Sequence, residues 1–193
     1  MKMRPLFTVT AMAGLSLLAG CMGMGRHGGG HQKQQEPAED YPQLPNVSAA
    51  LRVQPGQDLA LVLKGTGVQI YVCAVDPVNA SNYLWLFKAP EADLTTSRGR
   101  PAGKHYAGPT WEAPDGSKVV AKVIASDKND DPNAIPWLLL SATSNSGTGV
   151  FAKTTGIQRL FTVSGKAPTE GCDRDHVGKE ARVSYSAQYY FYN

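Results

Sequence analysis

No apolar run in this chain is long enough to cross a bilayer, which takes about 20 residues in succession. No sign of charge dominates either: 19 Lys and Arg stand against 16 Asp and Glu. That near balance withholds the electrostatic footprint that nucleic-acid binding needs, so no nucleic-acid partner is expected. Polybasic and acidic tracts are missing as well, which excludes an electrostatic membrane patch and a charged tail. Three cysteines are too few for the dense disulfide framework of a mini-protein. Helical periodicity is nowhere sustained, which argues against an α-helical domain. With 193 residues the chain can still bury the core of one ordinary domain without help from a metal.

The longest apolar stretch, Leu6 to Leu18, follows Lys2 and Arg4 and is interrupted by Thr8, Thr10 and Ser16. A basic start, a short apolar region and small residues before a cut form an export signal. This one closes on Leu17-Leu18-Ala19-Gly20-Cys21, which resembles the lipobox of bacterial lipoproteins. The resemblance implies a diacylglyceryl thioether on Cys21 and an amide-linked acyl chain on the new N-terminus. Stable membrane attachment takes two or more such chains, so the expected partner is a membrane held through the lipid. Met22 rather than Asp follows the cysteine, which by the same resemblance implies outer-membrane sorting in the cell envelope. A soluble export signal with an incidental cysteine is the competing reading. Loss of residues 1–20 removes Lys2 and Arg4 and leaves seventeen basic against sixteen acidic residues. Cys73 and Cys172 then remain as a pair in an oxidising compartment, where a disulfide is expected and two separate buried thiols are the alternative.

Residues 21–46, rich in Gly, Gln, Pro and charge, read as a flexible tether. His27 and His31 within it could chelate a metal loosely, but the intervening glycines impose no geometry, so incidental composition is favoured. Residues 47–193 read as a single all-β domain. Short apolar runs of period two, separated by Gly, Pro, Asn and Asp, predict strands at Leu59 to Lys64, Tyr83 to Lys88, Lys118 to Ala125, Trp137 to Ala142 and Gln158 to Val163. Val68, Ile70, Val72 and Ala74 alternate with Gln69, Tyr71 and Cys73, which predicts that the first set faces inward. At the C-terminus Val183, Tyr185, Ala187, Tyr189 and Phe191 share one face, with Arg182, Ser184, Ser186 and Gln188 on the other. Ala113-Pro114-Asp115-Gly116 predicts a tight turn between antiparallel strands. The pattern fits an antiparallel sandwich or barrel and does not choose between them. Short helices near Val47 to Val53 and Ala89 to Leu94 are compatible with it.

Gly67-Val68-Gln69-Ile70-Tyr71-Val72-Cys73, Gly103-Lys104-His105-Tyr106-Ala107-Gly108-Pro109-Thr110-Trp111-Glu112, Ile135-Pro136-Trp137, Ile157-Gln158-Arg159, Gly171-Cys172 and the ending Tyr185-Ser186-Ala187-Gln188-Tyr189-Tyr190-Phe191-Tyr192 carry a family resemblance. They resemble a secreted bacterial and fungal family catalogued as domain of unknown function 3455, from about Val47 to the last residue. The resemblance implies an exported domain treated as one unit and transfers no catalytic residue.

The densest candidate site is His105 to Ser117, where His105, Tyr106, Trp111, Glu112 and Asp115 fall close together. An aromatic surface with a few polar groups suits a small molecule or glycan, or an envelope protein, bound without catalysis. A hydrolytic enzyme using His105 with Glu112 or Asp115 as acid and base, Trp111 forming a stacking wall, is the second reading. A structural or assembly role is the third, and on it Gly103, Gly108 and Pro109 are turn devices, Trp111 is core and His105 is a bonded structural histidine. Other chemistry fails on its own requirements. Asp127, Asn129 and Asp131 open like a calcium loop, but Pro132 stands where Gly is needed and Leu138 where Glu is needed. Asp173, Asp175 and His176 lack ligand spacing. There is no G-x-S-x-G elbow and no phosphate loop, and Gly65-Thr66-Gly67 precedes a strand. No metal or cofactor is expected.

Overall fold

The computed structural model describes residues 46–193. The expected signal segment, Cys21, the tether up to residue 45 and the His27 and His31 pair lie outside the described residues. The rest is built from eight strands: β1 Leu59–Val75, β2 Tyr83–Thr95, β3 Pro101–Tyr106, β4 Thr110–Glu112, β5 Lys118–Asp127, β6 Trp137–Ser146, β7 Gly156–Ser164 and β8 Glu180–Tyr192. Each pairs antiparallel with the next, and β8 returns to β1, so the sheet is a closed up-and-down barrel. Closure removes the unpaired edges that a sandwich would have to protect.

Several boundaries follow from that closure. The two runs predicted on either side of Gly65-Thr66-Gly67 are one strand, β1, because it pairs along its length with both β2 and β8. Gly65 does not interrupt it but makes room: a Cβ there would lie 2.6 Å from Cε2 of Tyr189, whose ring occupies the lumen. The short helix expected around Ala89 to Leu94 is absent, since that segment lies inside β2. Pro90 is tolerated there because the β2–β3 ladder begins only at Ala92 opposite His105, leaving its β3 side open. A 3-10 turn, Ala49–Leu51, does fall in the expected Val47 to Val53 region. The Ala113-Pro114-Asp115-Gly116 turn forms as predicted, with Gly116 donating its N–H to the Ala113 carbonyl at 3.0 Å and Gly116 at φ +81°.

One predicted face is reversed. Gln69 lies opposite Val183 and Tyr71 opposite Ala181, and directly opposite residues share a face. The inward set of β1 is therefore Gly65, Gly67, Gln69 and Tyr71, and Val68, Ile70, Val72 and Ala74 point outward. Alternation showed that the two faces differ, while the register with β8 decided which one is inside. The buried Tyr71 hydroxyl is satisfied by donating to the Gly165 carbonyl at 2.6 Å.

Two apolar clusters result. Leu63, Leu94, Trp111, Phe151, Ile157, Tyr189 and Phe191 belong to the one inside the barrel. The other lies on the outer face of β6, β7 and β8, where Leu51 covers Leu139, Leu160, Tyr190 and Tyr192. Gln158 locks this cover by donating from Nε2 to the Leu51 carbonyl at 2.6 Å while its Oε1 accepts from Tyr192 at 2.7 Å. The expected disulfide between Cys73 and Cys172 is present and ties the end of β1 to the loop before β8 across 99 positions.

Candidate functional site

The β3–β4 hairpin sets His105 directly opposite Trp111 and Lys104 opposite Glu112. Side chains alternate across a strand, so the first pair enters the lumen and the second faces out. His105 is 3 % exposed and stacks on Trp111 with ring centroids 4.3 Å apart and planes 13° from parallel. Its Nδ1 lies 2.9 Å from the Thr110 carbonyl. A carbonyl only accepts, so Nδ1 carries the proton and Nε2 keeps a lone pair. Burial, partly offset by that bond and reinforced by Arg159, pushes the His105 pKa down to about 3. The imidazole is neutral at physiological pH.

The other three candidates are elsewhere. On the outer face Tyr106 donates to Glu112 at 2.7 Å and Lys118 pairs with Glu112 at 3.2 Å. The Tyr106 bond, then Lys118, holds the Glu112 carboxyl below its usual range, and the bond to Glu112 raises the Tyr106 phenol. Asp115 sits in the β4–β5 turn, and consecutive turns of an up-and-down barrel lie at opposite ends, away from the β3–β4 turn. There it accepts from the Ser117 hydroxyl and N–H at 2.6 and 2.8 Å and from the Val150 N–H at 2.9 Å. The Ser117 hydroxyl bond leads in lowering its pKa. The acid and base pairing expected of His105 with Glu112 or Asp115 is therefore not formed: the sheet itself separates the first pair, and the second lies at opposite ends.

What His105 and Trp111 do border is a cavity of about 300 Å³ in the lumen, on the side of the β3–β4 turn at residues 107–109. Tyr189, Leu138, Leu140 and Arg159 complete its wall, and Phe87 and Val123 stand at it 55 % and 50 % exposed. Of the wall residues that the sequence reading missed, Arg159 is the one that carries a charge within the lumen. It faces inward because it lies opposite both Leu138 and Tyr189. A lone cation two positions after Ile157, on the same face of the strand, was the available signal.

The family profile described as a protein of unknown function (DUF3455) matches residues 54–193. The chain belongs to the DUF3455 family. No curated protein and no solved structure matches it. The matched span holds all eight strands of the DUF3455 barrel and every residue of the cavity wall. Among the described residues of this DUF3455 chain, no group of three His, Cys, Asp or Glu is placed to hold a metal ion. Asp173 instead accepts from the Asp175 N–H at 2.9 Å and meets His176 Nδ1 at 2.6 Å, capping the 3-10 turn Arg174–His176. Asn129 and Asp131 shape the loop between β5 and β6, Asn129 donating to the Thr162 carbonyl at 2.8 Å and Asp131 accepting from the Asn133 N–H at 2.8 Å.

Proposed function

We propose that the DUF3455 domain is a non-catalytic binding module that takes one small molecule into the open end of its barrel. The observation that carries this reading is the cavity of about 300 Å³ walled by the stacked His105 and Trp111, Tyr189, Leu138 and Leu140. An eight-stranded barrel is just wide enough to be filled by its own side chains or to hold one small ligand. Here Phe151, Ile157 and Phe191 fill one part of the lumen, and the cavity beside His105 is left for a guest. A binding role also fits a histidine kept neutral by burial, which makes it a wall and hydrogen-bonding group rather than a strong base. The reading further places the domain in the bacterial cell envelope, displayed on a polar tether from a lipid on Cys21 at the outer membrane.

Titration with the uncharged fluorophore N-phenyl-1-naphthylamine tests the pocket. The expected result is saturable enhancement at one site per chain, abolished in Leu138→Trp, whose larger ring occupies the cavity, with its melting curve retained. No saturable binding by the wild type, or unchanged binding by the folded variant, overturns the reading. The anchor is tested separately: metabolic labelling with an alkynyl fatty acid is expected to mark the wild type and not Cys21→Ser.

A further inference from the structure

Resting on the pocket reading above, we infer that the ligand is a small amphiphilic monoanion, a carboxylate with an apolar body, whose charged end pairs with Arg159. A guanidinium removed from water is costly unless an anion or a full set of acceptors meets it. Arg159 has neither. Its Nη2 donates to the Pro136 carbonyl at 2.9 Å, while Nε is buried with no acceptor. Among the described residues no carboxylate forms an ion pair with it. The groups that surround it electrostatically are the phenols of Tyr189, Tyr185 and Tyr71, whose raised pKa values keep them uncharged at neutral pH. Tyr71 donates to the Gly165 carbonyl, and Tyr185 and Tyr189 share one bond at 3.1 Å.

The remaining polar wall adds no free charge. Trp111 Nε1 is a second buried donor without an acceptor. Lys88, also at the cavity, is already paired with Glu180, and His105 is uncharged. The Arg159 side chain, with no carboxylate partner, therefore lines a space otherwise bounded by Leu138, Leu140 and aromatic rings. A planar fork of donors matches a carboxylate in two parallel bonds, and a single cation balances a single negative charge. The apolar body follows from the walls and from the half-exposed Phe87 and Val123 beside them, which offer apolar contact outside the lumen.

The test is calorimetric titration of the full domain with decanoate, decanol and decylamine at neutral pH, each also run in competition with N-phenyl-1-naphthylamine. Decanoate is expected to bind about ten-fold or more tighter than decanol, since a charge-assisted bond outweighs a neutral one, with decylamine weakest. Arg159→Met, which keeps an apolar stem, is expected to erase the preference, and Arg159→Lys to keep part of it. Equal affinity for decanoate and decanol in the wild type overturns the inference while leaving the pocket intact. A preference that survives in Arg159→Met overturns it as well, whereas failure of every probe to bind removes the pocket reading itself. Should Arg159→Met not fold, the wild-type ratio and the Arg159→Lys variant decide.

Discussion

Two ends of one lumen are built on different principles. At the end closed by the β4–β5 turn, rings run in contact down the axis: Trp111 meets Phe191 at 6.0 Å, and Phe191 meets Phe151 at 4.8 Å. Fully buried Leu63, Leu94 and Ile157 fill the space around them. At the end of the β3–β4 turn the lumen stays open beside His105 and Arg159, and specific ties are added to the packing of Ile135 and Tyr185 there. The Cys73–Cys172 disulfide, the Tyr71 bond to Gly165 and the Trp85 bond to the Glu170 carbonyl at 2.8 Å hold the loop before β8 in place. The contrast teaches that a barrel can be stabilised mainly at one end by dispersion and burial, leaving the other free to keep a hole and an unmatched charge.

Removing the ties should have the largest effect. The double variant Cys73→Ala/Cys172→Ala frees a loop that spans 99 positions, and the chain-entropy model assigns such closure about 4 to 5 kcal/mol. Urea unfolding, with the midpoint falling by that equivalent, checks it; an unchanged midpoint would show that packing alone holds the open end. Next comes Phe191→Ala at the filled end, expected to cost about 3 to 5 kcal/mol because the cavity it leaves is ringed by rigid neighbours. The same denaturant series measures it.

Acid then separates the ends. The folded His105 pKa of about 3 lies below the ordinary value of 6.5, so between those values the unfolded chain binds a proton that the folded chain does not. Stability is fully present above the ordinary histidine range and is lost as pH falls towards the folded value, by about 3 kcal/mol at pH 4 from this group. The exposed carboxylates with lowered pKa, Glu112, Asp115, Asp173 and Glu180, lose stability in the acid range too. Thermal melts of wild type and His105→Gln across pH 7 to 4 isolate the histidine, and parallel slopes would refute its burial as the cause. Smallest of all should be Leu138→Ala, about 1 kcal/mol, since a half-buried wall beside existing space loses little packing. A loss as large as that of Phe191→Ala, read in the same melts, would mean that the open end is packed like the closed one.

Much of the fold was legible. Six of the eight strands followed from period-two runs, though β3 and β4 did not, and the β4–β5 turn followed from Pro114 and Gly116. The disulfide followed from cysteine arithmetic. The candidate site was legible only in part. His105 and Trp111 reach the same cavity, but Tyr106 and Glu112 leave by the other face, because neighbours in a strand diverge however close they stand in sequence. Asp115 is lost to the site for another reason: it lies beyond a turn and serves the far end of the barrel. Arg159 escaped notice because a charge within a strand reads as solvent-facing until its partners across the ladder, Leu138 and Tyr189, are known.

The amino-acid sequence by itself determined the all-β class and the turn chemistry, because these depend on local backbone preference, and it raised the expectation that Cys73 and Cys172 pair. Barrel closure, the inward turn of Gln69 and Tyr71, and the meeting of Arg159 with His105 around an unfilled space were decided only by tertiary structure. The reason is register: β1 acquires its inside face by pairing with β8, Leu63 opposite Tyr189 and Gly67 opposite Tyr185. No local pattern encodes an alignment between segments so far apart.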